Sequence, residues 1–172
     1  MARNLIYRTP GHGVQFTAGP LTNRFMNNVI YKNTGRGVDL GNCCSVFGTE
    51  FYNNIVMSNT AGGLVNNNAG TKWSYNDVYG NGGGTGNYTN TTALAQSNGN
   101  MSVNPVFSNA IVGNFHIDVV ASPVIDKGTT NGLTKFDATP VVGTNRDMGA
   151  YEVPPPISYW VSNASTTVKY TN

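Results

Sequence analysis

Charged side chains are scarce in this 172-residue chain, and their scarcity excludes some classes of function. Only 10% of the residues are Asp, Glu, Lys or Arg, against about 25% in a typical soluble domain. The formal net charge is +2, and the sequence contains no basic run of the kind that a phosphate backbone selects. Nucleic acid is therefore not an expected partner.

Long apolar runs are absent as well. No stretch approaches the roughly 20 apolar residues that cross a bilayer, and the residues after Met1 lack the apolar part of a signal peptide. The two cysteines, Cys43 and Cys44, are adjacent, so a disulfide between them needs a strained ring. Two reduced thiols are the simpler interpretation, and neither has the flanking residues of a zinc site or a catalytic thiol.

The chain is instead rich in Asn, with 25 residues, and in Gly, with 21. Both are poor helix formers and good turn formers, which argues against an all-helical fold. The stretch "NNVIYKNTGRGVDL" from Asn27 is followed 26 residues later by "NNIVMSNTAGGLVN" from Asn53. A period of this length indicates a solenoid.

Offsets of 24, 26 and 22 residues align four rungs, of which the first is incomplete. Because short β-type runs are separated by Asn and Gly, the strands should stack in parallel as the coils of a β-helix. The predicted inward columns are Ile6, Ile30, Val56, Val78 and Val14, Val38, Leu64. The predicted amide ladders are Asn4, Asn28, Asn54, Asn76 and Asn33, Asn59, Asn81. A third aligned set, Gly13, Gly37 and Gly63, is expected to provide positive φ at a bend.

The second half of the chain does not repeat, but it contains five short pieces in a fixed order. They are "NPVF" (104–107), "GNFHI" (113–117), "ASPVIDKG" (121–128), "FDATP" (136–140) and "RDMGAYE" (146–152). Together they resemble the C-terminal end of bacterial secreted right-handed β-helix proteins of the choice-of-anchor Q domain type. "FDATP" departs from the family pattern, in which a more acidic segment containing Gly is usual. The resemblance implies an all-β, right-handed parallel β-helix of about four rungs with an irregular C-terminal capping segment.

The resemblance also implies an extracellular or cell-surface location. We predict β-helix rungs at 1–103, truncated at the N-terminus, a capping segment at 104–153, and a Pro-rich linker and tail at 154–172. The first rung begins in mid-coil, so its uncapped end is expected to pair with another copy or with residues of a longer protein.

The capping segment contains several charged residues, and two interpretations of them stay open. The residues are Asp126, Asp137, Arg146, Asp147 and Glu152. Ion pairs and turn caps are the simpler interpretation, while calcium bound by the carboxylates is the alternative. We expect no other cofactor or metal.

An extracellular β-helix offers a long groove for a polysaccharide, although the fold alone does not establish a function. If Ile30 points inward, Tyr31 points outward, with Tyr7 and Tyr79 in the same column. These rings could stack on sugar faces, and Arg8 and Lys32 beside them could bind a uronate carboxylate. The alternative is that the tyrosines cover the outer sheet face or pack under a loop.

A polysaccharide lyase or hydrolase would need paired acidic or basic groups within reach of the glycosidic bond. The candidate catalytic residues are Asp39, Glu50 and Asp77, because they are the only acids outside the capping segment. However, Glu50 aligns with Arg24 and Lys72, which indicates a charge ladder between rungs.

Asp39 and Asp77 have no evident partner in the alignment, and His12 and His116 look isolated. Whether the chain is an enzyme therefore stays open. The alternative function is a non-catalytic adhesive or spacer domain of a cell-surface protein.

Overall fold

The chain is all-β, as predicted. The computed structural model describes residues 1–17, 22–41, 48–66, 70–83, 86–89, 97–118, 120–130, 141–153, 158–162 and 167–171. Within these ranges the one helical element is the 3-10 turn Ala110–Val112. The first eleven strands stack in parallel into three sheets and form a right-handed parallel β-helix.

The described strands are numbered β1 to β15 along the chain. Sheet A contains β3 (Arg24–Met26), β6 (Glu50–Tyr52) and β9 (Lys72–Ser74). Sheet B contains β1 (Leu5–Tyr7), β4 (Val29–Tyr31), β7 (Ile55–Met57) and β10 (Asp77–Tyr79). Sheet C contains β2 (Val14–Gln15), β5 (Arg36–Leu40), β8 (Gly62–Asn66) and β11 (Tyr88–Thr89). The remaining strands are β12 (Phe107–Asn109), β13 (Asn114–Ile117), β14 (Ser158–Ser162) and β15 (Thr167–Thr171).

The core lies between the three sheets, and the strand registers confirm the predicted columns. Ile6, Ile30, Val56 and Val78 pair in sheet B, and Val14, Val38 and Leu64 pair in sheet C. Sheet A adds an aromatic stack in which the ring centroids of Phe25 and Phe51 are 4.8 Å apart and those of Phe51 and Trp73 are 3.9 Å apart. Because side chains alternate along a strand, the middle residue of each three-residue strand points inward.

Each turn from sheet A to sheet B consists of a positive-φ residue followed by a ladder Asn. The positive-φ residues are Arg3, Asn27, Asn53, Tyr75 and Gly99. The predicted ladder is confirmed, and it continues to Asn100, whose Oδ1 accepts from Asn76. The Asn54 Oδ1 accepts from the backbone N–H and Nδ2 of Asn28, while its own Nδ2 donates to the Phe25 carbonyl and to Asn76 Oδ1. The buried carboxamide is thus bonded on both sides, which offsets the cost of burying it.

The turn from sheet B to sheet C is built in the same way. Its positive-φ residues are Arg8, Lys32, Ser58 and Gly80, and the predicted ladder of Asn33, Asn59 and Asn81 follows them. The ladder begins at Thr9, whose hydroxyl donates to Asn33, and ends at Asn87, whose Oδ1 accepts from Asn81. Asn87 comes only six residues after Asn81, so a constant offset could not have located it.

The prediction that Gly13, Gly37 and Gly63 have positive φ is wrong, since none of them lies in the left-handed region. The structure shows a lack of space instead. A Cβ on Gly37 would lie 2.4 Å from Val56 Cγ1, 2.7 Å from Asn59 Nδ2 and 2.9 Å from the Gly63 carbonyl oxygen. The glycine column therefore allows the second ladder and the aliphatic column to pack against sheet C.

The capping segment packs along the outer face of sheet B. Its antiparallel strands β12 and β13 belong to an apolar cluster with Val29 and Ile55, whose side chains point away from the solenoid core. It also hydrogen-bonds to the first turn column: the Gly149 N–H donates to the Asn53 carbonyl, and Arg3 Nε donates to the Ala150 carbonyl. The segment therefore covers a side of the solenoid, which the repeat pattern did not indicate.

Four of the five family-like pieces lie in or beside this cover, while "FDATP" and Asp137 lie outside the described residues. Further along, the region predicted as a linker and tail contains the antiparallel pair β14 and β15.

Candidate functional site

The outward edge of sheet B carries the predicted aromatic column. Its members, one per rung, are Tyr7, Tyr31, Met57 and Tyr79. The capping segment packs on part of it: the Phe115 ring makes edge-to-face contacts with Tyr7 at 5.0 Å and with Tyr31 at 5.3 Å. Tyr31 and Tyr79 are half-buried, whereas Tyr7 is 39% exposed. Tyr7 is therefore the tyrosine of this column with the most surface for a ligand.

Beside this column lies a group of basic side chains that we call the basic corner. It occupies the turn from sheet B to sheet C in the first two rungs and consists of Arg8, His12, Lys32 and Arg36, with the Tyr7 ring beside them. Arg8 and Lys32 take the same turn position in adjacent rungs, about 4.8 Å apart along the axis. Both are exposed, and neither forms an ion pair within the described ranges. The corner thus presents two adjacent uncompensated cations.

Asp39, a candidate catalytic residue, faces outward on sheet C but is only 6% exposed. Its Oδ2 lies 3.1 Å from Arg36 Nη1 and 3.6 Å from His12 Nε2, and its Oδ1 accepts from the Gly41 N–H. The expectations that Asp39 has no partner and that His12 is isolated are therefore wrong. His12 belongs to the preceding rung and Arg36 lies three residues before Asp39 on β5, and the column alignment resolved neither contact.

The His12 ring has a neighbour at each of its two nitrogens. Its Nδ1 accepts from the Arg36 backbone N–H at 3.0 Å, so a neutral imidazole carries its proton on Nε2, the nitrogen that faces Asp39. His12 was not among the predicted site residues. The sequence contained a signal for His12. Because β2 pairs with β5 at an offset of 24 residues, His12 takes the position in its rung that Arg36 takes in the next.

Glu50 lies on sheet A in the predicted charge ladder, which is confirmed. It pairs in register with Arg24 and Lys72, at 2.7 Å from Arg24 Nε and 3.1 Å from Lys72 Nζ. The hydrogen bond to Glu50 raises the pKa of Lys72. Both oxygens of Glu50 are thus engaged by cations, which suits a link between rungs.

Asp77 lies on sheet B at the position that Leu5, Val29 and Ile55 hold in the other rungs, and it is fully buried. Its Oδ1 accepts from the Val103 N–H at 2.9 Å, but its Oδ2 has no hydrogen-bond partner among the described residues. Burial raises the pKa of Asp77 to about 7, although the bond from Val103 opposes the shift. This carboxyl is inaccessible to a polymer ligand.

The three candidate acids therefore lie on three different sheets: Asp39 on C, Glu50 on A and Asp77 on B. Glycoside hydrolysis uses two carboxyl groups about 5 to 10 Å apart on either side of one bond. Side chains on separate outward faces of a solenoid cannot flank one bond. The structure brings none of these three acids together into such a pair.

The acids of the capping segment hold backbone N–H groups in place. Asp126 accepts from Thr144 and Asn145, and Asp147 accepts from Asp126 and Val153. Glu152 lies 3.6 Å from Arg146. Burial raises the pKa of Asp147. In the described part of the chain, no group of three His, Cys, Asp or Glu side chains is placed to hold a metal.

The first rung leaves the end of the core open. A depression of about 420 Å³ lies there, lined by Ile6, Val14, Phe16 and Phe25 among others. Phe16 packs edge-to-face on Phe25 and covers part of this end. The predicted pair Cys43 and Cys44 lies outside the described residues.

Comparison with known proteins identifies no relative: no family model, no curated protein and no solved structure matches this chain. The similarity to choice-of-anchor Q domain proteins stays a prediction from the five sequence pieces. Among the residues that the structure describes, no helix is long and apolar enough to span a membrane.

Proposed function

We propose that this chain binds an acidic polysaccharide through the basic corner and does not cleave it. The observation that supports binding is the stacked pair Arg8 and Lys32, exposed beside Tyr7 and without an ion-pair partner in the described ranges. A cation next to an aromatic ring suits a uronate, because the cation meets the carboxylate and the ring packs on the sugar face.

A polymer gains from the repetition of the solenoid. Adjacent rungs present equivalent cations at a short, regular spacing, so one chain of uronates can engage Arg8 and Lys32 together. The second contact then forms at high effective concentration, and avidity compensates for the weakness of each exposed ion pair. The Arg36 side chain, which contacts Asp39, is about a third exposed and would extend the same region.

Binding without cleavage is supported by the positions of Asp39, Glu50 and Asp77. Two of them are engaged by cations and the third is buried, on three separate sheets. A lyase or hydrolase would need other catalytic groups. The extracellular location and a calcium ion in the capping segment stay predictions that rest on the resemblance and on composition.

The second candidate function is an adhesive or spacer domain that has no ligand of this kind. It is favoured by the two continuous Asn ladders and the charge ladder, which tie successive rungs together into a stiff unit. The two functions differ in one respect that an experiment can measure: only the first requires a saturable interaction with a glycan.

The test is a binding titration of the purified chain against uronate-containing and neutral polysaccharides at low salt. Lys32→Ala should weaken binding to uronate polymers about two- to fivefold, the worth of one exposed ion pair. Lys127→Ala removes the same charge from an exposed position in the capping segment and should change nothing. Release of reducing ends or unsaturated products is measured in parallel, and none is expected.

Three outcomes would contradict the proposal. If the chain binds none of the polysaccharides, the spacer function is the one that remains. If Lys32→Ala and Lys127→Ala weaken binding equally, the polymer is attracted by net charge alone. Product release would show an enzyme. Tyr31 is not a suitable probe here, because its ring packs against Phe115 and its loss would disturb the cover.

The open end of the first rung is a separate proposed contact, with another copy of the chain. Its support is the apolar lining by Ile6, Val14 and Phe25 and the exposed strand edges of the first rung. Sedimentation over a range of concentrations should show dimers that Val14→Lys removes. A monomer at all concentrations would contradict this contact.

A further inference from the structure

The turn between β12 and β13 projects two aliphatic side chains into solvent. Ile111 is 76% exposed and Val112 is 74% exposed, and both belong to the 3-10 turn that joins the two strands. Gly113, with φ 82°, ends this turn. We call Ile111 and Val112 the hairpin tip.

The hairpin tip is anchored on the solenoid. Arg8 Nη2 donates a hydrogen bond to the Ile111 carbonyl, which ties the tip to the basic corner. On the strand behind it, Phe115 is fully buried and packs against Tyr7. The two aliphatic side chains are therefore exposed at a fixed place on the surface, beside Tyr7, which is itself 39% exposed.

The charges around the hairpin tip are positive. Arg8 contacts it directly, and Lys32 follows Arg8 one rung further along the axis. The acid nearest to the tip along β13 is Asp118, which lies beyond the far end of that strand and accepts from the backbone N–H groups of Val120 and Ala121. An aliphatic projection, an adjacent aromatic ring and two cations thus occur together on one edge of the molecule.

We propose that this edge, formed by Ile111, Val112, Arg8 and Lys32, docks on an anionic lipid surface. The two aliphatic side chains enter the boundary between headgroups and acyl chains, Tyr7 lies at headgroup level, and the cations meet lipid phosphates. The proposal uses two cations of the basic corner, but it does not require that corner to bind a polysaccharide.

The shape and charge of the edge favour this partner over two others. A second copy of the chain would bring the same cations against themselves, which opposes association through this edge. A folded protein would need a pocket that matches a convex tip, whereas a lipid layer deforms around it. Such a small tip with two cations gives weak, reversible binding that depends on the anionic lipid.

Cosedimentation with vesicles tests the proposal, using phosphatidylcholine alone and an equal mixture with phosphatidylglycerol. We expect binding to the mixed vesicles only. The double variant Ile111→Ser, Val112→Ser should lower the partition coefficient roughly a hundredfold, since burial of each side chain is worth about a factor of ten. Lys32→Gln should lower it about fivefold.

The matched control is Val120→Ser. Val120 is 91% exposed, so it tests the loss of an exposed aliphatic side chain, but it lies beside Asp118 instead of Arg8. It should bind vesicles like the parent protein. No binding to the mixed vesicles, or an equal loss in Val120→Ser and the tip variant, would overturn the proposal.

The same variants separate this proposal from the polysaccharide proposal. The hairpin tip has no part in recognising a soluble uronate polymer, so the tip variant should keep that affinity while it loses the vesicles. Loss of both ligands in the tip variant, with an unchanged thermal transition, would refute a separate lipid contact. Polysaccharide binding without vesicle binding would refute this inference alone.

Discussion

Asp77 should make the stability of the fold depend on pH, and Asp77→Asn should remove the part of that dependence which comes from Asp77. In the folded chain its pKa is about 7, because it is buried, compared with an ordinary value of 3.8. The two values differ by about three, and each unit corresponds to about 1.4 kcal/mol. Ionised Asp77 therefore destabilises the folded state by about 4 kcal/mol relative to the protonated form.

The sign follows from which state holds the proton more tightly. The folded state does, so the unfolded state releases its proton first as pH rises from about 4. Stability should fall steadily between about pH 4 and pH 7 and level off above the folded pKa. Asp147, whose pKa is also raised by burial, contributes in the same direction. The effect of Asp77 is therefore measured as the difference between parent and variant.

Urea denaturation at a series of pH values from 4 to 8 measures this difference. In the Asp77→Asn variant the new carboxamide oxygen can still accept from the Val103 N–H, so the variant keeps that bond while it loses the ionisable group. We expect the two stability curves to converge or cross as pH rises, with the variant gaining up to about 4 kcal/mol relative to the parent between the ends of the range. Asp118→Asn, at a carboxyl that caps a surface turn, serves as the control.

Parallel curves for the parent and Asp77→Asn would refute the reasoning. They would mean that water or a side chain forms a hydrogen bond with the carboxylate in solution, or that Asp77 is not buried there. Amide hydrogen exchange separates these two cases. If Asp77 is buried, the Val103 amide hydrogen should exchange slowly at pH 6. Its exchange rate should rise between pH 6 and pH 8 by more than the intrinsic effect of pH on amide exchange.

Two further substitutions test the turns. Asn54→Ala removes four side-chain hydrogen bonds and should lower the free energy of unfolding by about 4 kcal/mol, at about 1 kcal/mol for each bond. Asn4→Ala removes two side-chain bonds at the end of the ladder and should cost about half as much. Equal costs for the two variants would contradict the ladder. Gly37→Ala places a Cβ within 2.4 Å of a core methyl group, and this overpacking should lower the free energy of unfolding by about 1 to 3 kcal/mol. Gly11→Ala places its Cβ in open space and should change the free energy of unfolding little. Similar melting temperatures for the two variants would refute the steric explanation.

The sequence was sufficient to predict the rungs, because equivalent positions in a β-helix meet the same neighbours. Ile30 and Val56, or Asn28 and Asn54, occupy one environment repeated along an axis, and the same residue types are therefore favoured in each rung. The alignment of the rungs no longer located the ladder residues where the length of the repeat changed. Asn87 continues the second ladder after six residues, and no fixed offset aligns it.

Contacts that are not repeated could not be predicted in this way. The contact between Asp39 and His12 joins two adjacent rungs and depends on how the turn before sheet C places one rung on the next. The position of the capping segment depends on contacts between distant parts of the chain, such as Arg3 with Ala150. The error about Gly37 has a related cause: positive φ and lack of space both favour Gly, and the sequence alone does not distinguish them.

The sequence nevertheless contained one signal that the capping segment covers a face of the solenoid. A three-residue strand has one inward and two outward positions, so an apolar residue at an outward position needs a second layer to bury it. Leu5, Val29 and Ile55 fill the outward position that precedes the inward column, and the capping segment buries the latter two almost completely. In the fourth rung the same column holds Asp77, which pairs with Met101 of the following turn, and the Asp77 Oδ1 accepts from the Val103 N–H just before the capping segment begins. A column of apolar residues at an outward position thus indicates that a second layer covers this face of the solenoid.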